Sequence, residues 1–238
     1  MIKEYLDKKY KEILPTSFSI LLLEEKYIEA ISVFENKANS IYLGNIEIQL
    51  LKNILAGIEF SEIEIILDSK YKIGQGNSTI NININKHLFN HKIGESILSQ
   101  LPVSLDTEAG IDKACQLIQQ YIEQEAIPFF KYWQDIRDFL PFLETKDNGF
   151  IADLFSGDGF YKKVIIWKLC SHPGYNDLVE EMLEIFAQEL KESPKDKFLK
   201  KDYDKYLKIL KTLEKTKPLY EWDEKYLIQK PYIKEDLA

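Results

Sequence analysis

The side chains best suited to bind a metal or attack a substrate are three histidines and two cysteines. His87 and His91 lie four apart, and Glu95 lies four further on. On a helix over 86–98 these positions would be i, i+4 and i+8 and would share one face, as helix-borne metal ligands must. Three features oppose that reading. Leu88 stands where the zincin pattern carries its general-base Glu, Gly94 interrupts the helix, and no separate His or Cys cluster completes a ligand set. The same residues suit an exposed polar junction between a strand and a helix, and no metal or other cofactor is expected.

The second cluster is "LCSHPGYND", where Cys170, His172 and Tyr175 are the candidate binding residues. A Cys–His pair is a nucleophile with its base. The base usually comes from a different element, however, and His-Pro-Gly also reads as a turn. No residue is assigned a catalytic role. "GQGNS" (74–78) lacks the helix and the Lys-Ser/Thr pair of a phosphate loop, and reads as a hairpin turn. "SGDGF" (156–160), near Asp153, lacks the twelve-residue calcium loop and reads as a connection between helices. Glu59, Glu62, Glu64 and Asp68 read as a solvated strand edge. From Lys191 to Lys217, ten lysines outnumber five acids. That stretch is either a solvated helix face or a dock for an acidic partner.

Periodicity places these residues on elements. Residues 2–14 read as a helix stopped by Pro15. Residues 16–57 are ambiguous between helix and strand. Residues 58–85 read as a long antiparallel hairpin, with Ile80, Ile82 and Ile84 buried and Asn81, Asn83 and Asn85 wet. Helices follow at 106–126 with Asp106 as cap, after Pro128, at 160–170, at 178–190, and from Ser193-Pro194 to about Lys215. The aromatic tail reads as an irregular strap. Strands early and helices late argue for an α+β fold, with an N-terminal helix and antiparallel sheet followed by a mostly helical C-terminal part. A division into 1–104 and 105–238 is expected, or one continuous domain.

Composition narrows function. The chain has 238 residues, a net charge of −8, and one arginine, Arg137, against thirty lysines. Nucleic acid is not an expected partner, because phosphate affinity rests on clustered cations and arginine forks. An AT-rich genome also yields Lys, Ile and Asn, so lysine counts alone carry no functional argument. Cys115 and Cys170 are expected as buried free thiols of a reducing compartment. The charged N-terminus is unlike a signal peptide, and "FSILLL" is too short to span a bilayer. A cytoplasmic chain without a membrane partner is expected.

The long helix in "IDKACQLIQQYIEQEAIPFFKYW", running into Pro128-Phe129-Phe130 after a helix and antiparallel strands, resembles in layout small bacterial α+β domains of unknown function. Some of these are immunity-type proteins that neutralise toxins. The resemblance implies no catalytic residues. Together with the charged, aromatic-rich composition, it points to a protein-binding, immunity-like factor whose partner is another protein. The alternative is a small hydrolase or transferase using His172 or a metal at His87 and His91. A third reading is homodimerisation through the 58–85 sheet edge.

Overall fold

A computed structural model describes residues 2–23, 27–33, 37–45, 50–72, 78–89, 94–145, 147–155 and 157–232. The chain opens with α1 (Ile2–Ile13) and β1 (Ser19–Leu23), followed by β2 (Tyr27–Val33) and β3 (Lys37–Asn45). The short β4 (Leu50–Leu51), then β5 (Leu55–Phe60), α2 (Ser61–Leu67), β6 (Ile80–Asn81) and α3 (Ile84–Phe89) come next. α4 (Glu95–Leu98), β7 (Val103–Ser104), α5 (Glu108–Tyr121) and α6 (Ile127–Tyr132) complete the first half. The second half holds α7 (Leu140–Leu143), α8 (Asn148–Leu154), α9 (Gly159–Leu169), α10 (Tyr175–Glu192) and α11 (Lys197–Leu213). The fold is α+β, as the segregation of patterns implies.

The chain forms two compact units, one of residues 1–61, 72–134 and 231–238, the other of 62–71 and 135–230. The division therefore falls at 134/135 and not at 104/105. α5 and α6 belong with the sheet because the apolar face of α5 is consumed there: Ile111, Ala114, Ile118 and Tyr121 are fully buried.

In the first unit every strand pairing is antiparallel. The order is β1-β2-β3-β4-β7, and β5 lies beside β3 with β6 on its other side. The described residues of the ambiguous stretch 16–57 are thus mostly strand, and cross-strand pairing overrides the helical spacing of Tyr27, Ile28 and Ile31. β5 is buried on both faces, Glu59 included, so that acid is not on a solvated edge. α1 contributes Leu6 and Tyr10 to the core, and the Tyr10 hydroxyl donates to Leu43 O at 2.7 Å.

The long hairpin of 58–85 is not formed. Its first arm becomes α2 at Ser61, and its second pairs with β5 only at Ile80 and Asn81. The isoleucine alternation still predicts burial, since Ile80, Ile82 and Ile84 are all core residues. Asn85, expected wet, is fully buried and accepts a hydrogen bond from Trp133 Nε1 at 3.3 Å. Thr107, not Asp106, caps α5 by accepting from Gly110 N. Pro128 does not restart the chain, because a π-helical turn at Ile122–Ala126 carries α5 into α6 with the proline in the first turn of the latter.

The second unit is helical. α9 is apolar on nearly all sides and buried. The loop between α10 and α11 is four residues, so the two helices form an antiparallel hairpin. Asp196, not Ser193, caps α11, accepting from Phe198 N and Leu199 N. The tail packs as a strap on this unit: Leu219 N and Tyr220 N both donate to Leu169 O, and Ser171 Oγ donates to Tyr220 O.

Candidate functional site

α3 ends at Phe89, and α4 begins at Glu95 after Gly94, whose φ of +50° is the left-handed region. A helix that reached Glu95 from His87 and His91 would be broken at Gly94. His87 has its backbone in α3, but its side chain is outside the described residues, as is the whole of His91. Glu95 is exposed. Among the described residues, no group of three His, Cys, Asp or Glu can hold a metal. The loop glycines Gly74 and Gly76 also lie outside the described residues.

Cys170, His172 and Tyr175 are well defined, in the turn between α9 and α10. Cys170 caps the C-terminus of α9 and is fully buried. Burial pushes its thiol up to about 12, the wrong direction for a nucleophile. His172 is also buried, with one hydrogen-bond partner in its own turn and one from elsewhere. Its Nδ1 accepts from Gly174 N at 3.0 Å, and its Nε2 lies 2.9 Å from Glu144 Oε1. An Nδ1 that accepts and an Nε2 that donates define a neutral imidazole. Burial lowers its affinity for a second proton, and the nearby Glu144 only partly offsets that.

The ring is enclosed as well. Trp167 stacks on it at 3.8 Å between centroids, and Trp222 from the strap meets it edge-on at 4.4 Å. Lys163 Nζ lies 4.7 Å from the Trp167 ring and donates to Thr145 O. This aromatic box is filled by the chain's own side chains. Both imidazole nitrogens are spent, so His172 is a clamp between α7's C-terminal end, α9 and the strap. Tyr175 opens α10 half-buried, with Lys168 over its ring at 5.2 Å. The sequence brings Cys170 and His172 near each other, but the structure gives them separate tasks.

Arg137 is also structural. Its guanidinium grips Asp135 through two bonds of 2.8 and 3.1 Å and lies under the rings of Tyr220 at 4.2 Å and Tyr226 at 5.3 Å. Tyr220 OH donates to the same carboxylate at 2.9 Å, and Lys230 Nζ bonds Asp138. These contacts pin the strap. Glu64, expected solvated, is buried in α2 against Lys162 Nζ at 3.3 Å. Asp158, in "SGDGF", begins α9 and pairs with Lys205 at 2.6 Å, so that segment connects α8 to α9 as expected.

The surface left unused is the α10–α11 hairpin. α10 has six acids and one lysine. α11 has six lysines and two aspartates. At 100° per residue, Asp177, Glu180, Glu181 and Glu184 lie opposite Phe186, the buried anchor of α10, within roughly 60° of the outward direction. In the same way Lys197, Lys200, Lys201, Lys208 and Lys211 lie opposite the buried Tyr206 and Leu213, within roughly 60° of outward. All nine are exposed. Phe198, on the first turn of α11, is 81% exposed. Sequence reading found the basic stripe and missed the acidic one, although the i, i+3, i+4, i+7 spacing of those four acids was legible.

No described helix is long and apolar enough to cross a membrane. Comparison of the chain with protein-family models, curated proteins and solved structures returned no match.

Proposed function

We propose that this chain is a protein-binding factor that docks a carboxylate-rich protein surface on the basic face of α11. One observation carries the reading: Phe198 stands 81% exposed on the first turn of α11, next to Lys197 and one helical turn before Lys201. A solvated helix face has no use for an exposed phenyl ring. An interface uses one as an anchor, with surrounding cations to steer a partner of opposite charge. The neutral, fully engaged His172 and the buried, high-pKa Cys170 support a binding rather than a catalytic role. The resemblance in layout that the sequence bears to immunity-type proteins suits the same reading, in which the partner is a protein held in check. Two free, buried cysteines accord with a cytoplasmic setting.

The test uses labelled polyglutamate as a carboxylate-rich probe, followed by anisotropy at rising salt. Binding is expected to weaken with ionic strength. Reversing Lys197, Lys201 and Lys208 to Glu is expected to weaken it by at least about tenfold. Reversing the exposed Lys8, Lys52 and Lys72, in the other unit, changes the total charge by the same amount and is expected to have far less effect. Capture from native lysate with the wild type, the triple variant and Phe198→Ala then asks whether one protein depends on this face. Equal polyglutamate binding by the triple variant would remove the proposal.

A further inference from the structure

The two faces of the hairpin are complementary to each other, and that complementarity names an occupant. We infer that a second copy of this chain docks on the α10–α11 hairpin, the acidic stripe of each copy lying on the basic stripe of the other. The inference rests on the reading of α11 as a binding face and assigns what covers it when no other partner is bound.

Charge segregation is the first ground. A lysine-rich composition would place lysines on both helices, yet α10 carries only Lys191 against six acids, and α11 carries six lysines. Among the described residues, the α11 lysine held in an ion pair is Lys205, with Asp158. The outward lysines and the acids Asp177, Glu180 and Glu184 are not spent on one another within the hairpin.

Geometry is the second ground. In an antiparallel hairpin, the first half of α10 lies level with the second half of α11. A two-fold axis parallel to the helices places α10 of one copy over α11 of the other at that same level. Asp177, Glu180 and Glu184 of one copy then meet Lys208 and Lys211 of the other, and the symmetry repeats the contact. Asp177 to Glu184 spans about 10 Å along α10 and Lys197 to Lys211 about 21 Å along α11, so the basic stripe is long enough to receive the acidic one. The exposed Ile185 and Leu207 lie beside the stripes and supply apolar area at the same contact. α10 itself is under-covered, because of its eighteen residues only Phe186 is buried. The four helices so assembled form a bundle, the arrangement that buries a half-covered helical face.

Sedimentation velocity of the full chain over a range of concentrations tests this by charge exchange. The wild type is expected to dimerise at low salt and to dissociate as salt rises. Glu180→Lys/Glu184→Lys alone and Lys208→Glu/Lys211→Glu alone are each expected to weaken self-association at least about tenfold, because like charges then face each other. An equimolar mixture of the two variants is expected to regain the dimer, since each supplies the charge the other lacks. That rescue also shows that both variants are folded. A wild type that stays monomeric at low salt, or a mixture that stays monomeric, would overturn the inference. Polyglutamate binding by Glu180→Lys/Glu184→Lys, which keeps every lysine of α11, separates the two readings. If it binds at least as tightly as wild type while no dimer forms, the binding face stands and the second copy falls. If it does not bind, the reading of α11 itself has failed.

Discussion

The ion pair between Lys162 and Glu64 makes a sharp claim about how the helical unit is held together. The two groups are 3.3 Å apart, with side chains 3% and 11% exposed. At an effective dielectric of about 20, unit charges at that separation attract by roughly 5 kcal/mol. Burial pulls the lysine pKa down, and Glu64 works against that pull. Glu64→Gln keeps the shape of the side chain and removes the nearest counter-charge, leaving the buried ammonium beside the Phe155 ring with Asp158 as a weaker one. The expected cost is about 3–5 kcal/mol, because a poorly compensated buried charge is worse than no charge. With a urea m-value of about 3 kcal/mol/M, that shifts the midpoint down by roughly 1 M or more.

The assay is urea unfolding followed by tryptophan emission, to which Trp167 and Trp222 of this unit contribute alongside Trp133 of the other, and by circular dichroism. Lys162→Met with Glu64→Leu removes both charges and fills the volume. It is expected to lie within about 1 kcal/mol of wild type or above it, since desolvation of the pair offsets most of its attraction. A loss under about 1 kcal/mol for Glu64→Gln would mean that water reaches the ammonium and that the pair is not buried in solution. A double variant as unstable as either single one would mean that packing, not charge, holds the site.

Other outcomes follow from buried groups in both units. Folding holds the His172 imidazole below its ordinary value of 6.5, so the unfolded chain takes up a proton that the folded chain refuses. Stability contributed by this site is therefore intact above about pH 6.5 and falls as the pH drops below it. Urea midpoints at pH 7.5 and 5.5 measure this, and His172→Gln is expected to flatten the difference. Arg137→Ala is expected to loosen the strap and speed tryptic cleavage at Lys225, with only partial rescue by Arg137→Lys because an ammonium cannot form the two-bond grip. Unchanged cleavage would remove Arg137 as the clasp. Burial raises the Cys115 thiol to about 11 and the Cys170 thiol to about 12. Both are expected to react with a thiol reagent only after denaturation, and rapid labelling of the native chain would contradict their burial.

How much of this was legible in the sequence depends on whether an element's partners are local. α1, α9, α10 and α11 follow from their own apolar spacing, and the observed bounds stay close to the expected ones. The stretch 58–68 behaves differently. Its phase slip at Ser61 reads as a bulge, but it is where strand gives way to helix. The Ser61-x-x-Glu64 spacing was the available signal for a helix start. The stretch 16–57 offered no such signal, because pairing between β2, β3 and β5 decides its state, and pairing is not a local property.

The candidate site divides along the same line. Cys170 and His172 drew attention by being neighbours in sequence, yet Cys170 is a buried helix cap and His172 is enclosed by residues far along the chain. Glu144 and Trp222 close around His172, and Asp135 meets Arg137 and Tyr220 in the strap. Buried polar groups need partners, and when those partners come from other helices, spacing in one segment cannot reveal whether a histidine is a base or a clamp. Surface charge is the opposite case. The stripes on α10 and α11 need no distant partner to be recognised, only a helix and its 3.6 period. What composition obscured was contrast: a lysine count along one helix is ambiguous in a lysine-rich chain, whereas lysines on one helix and acids on its neighbour are not.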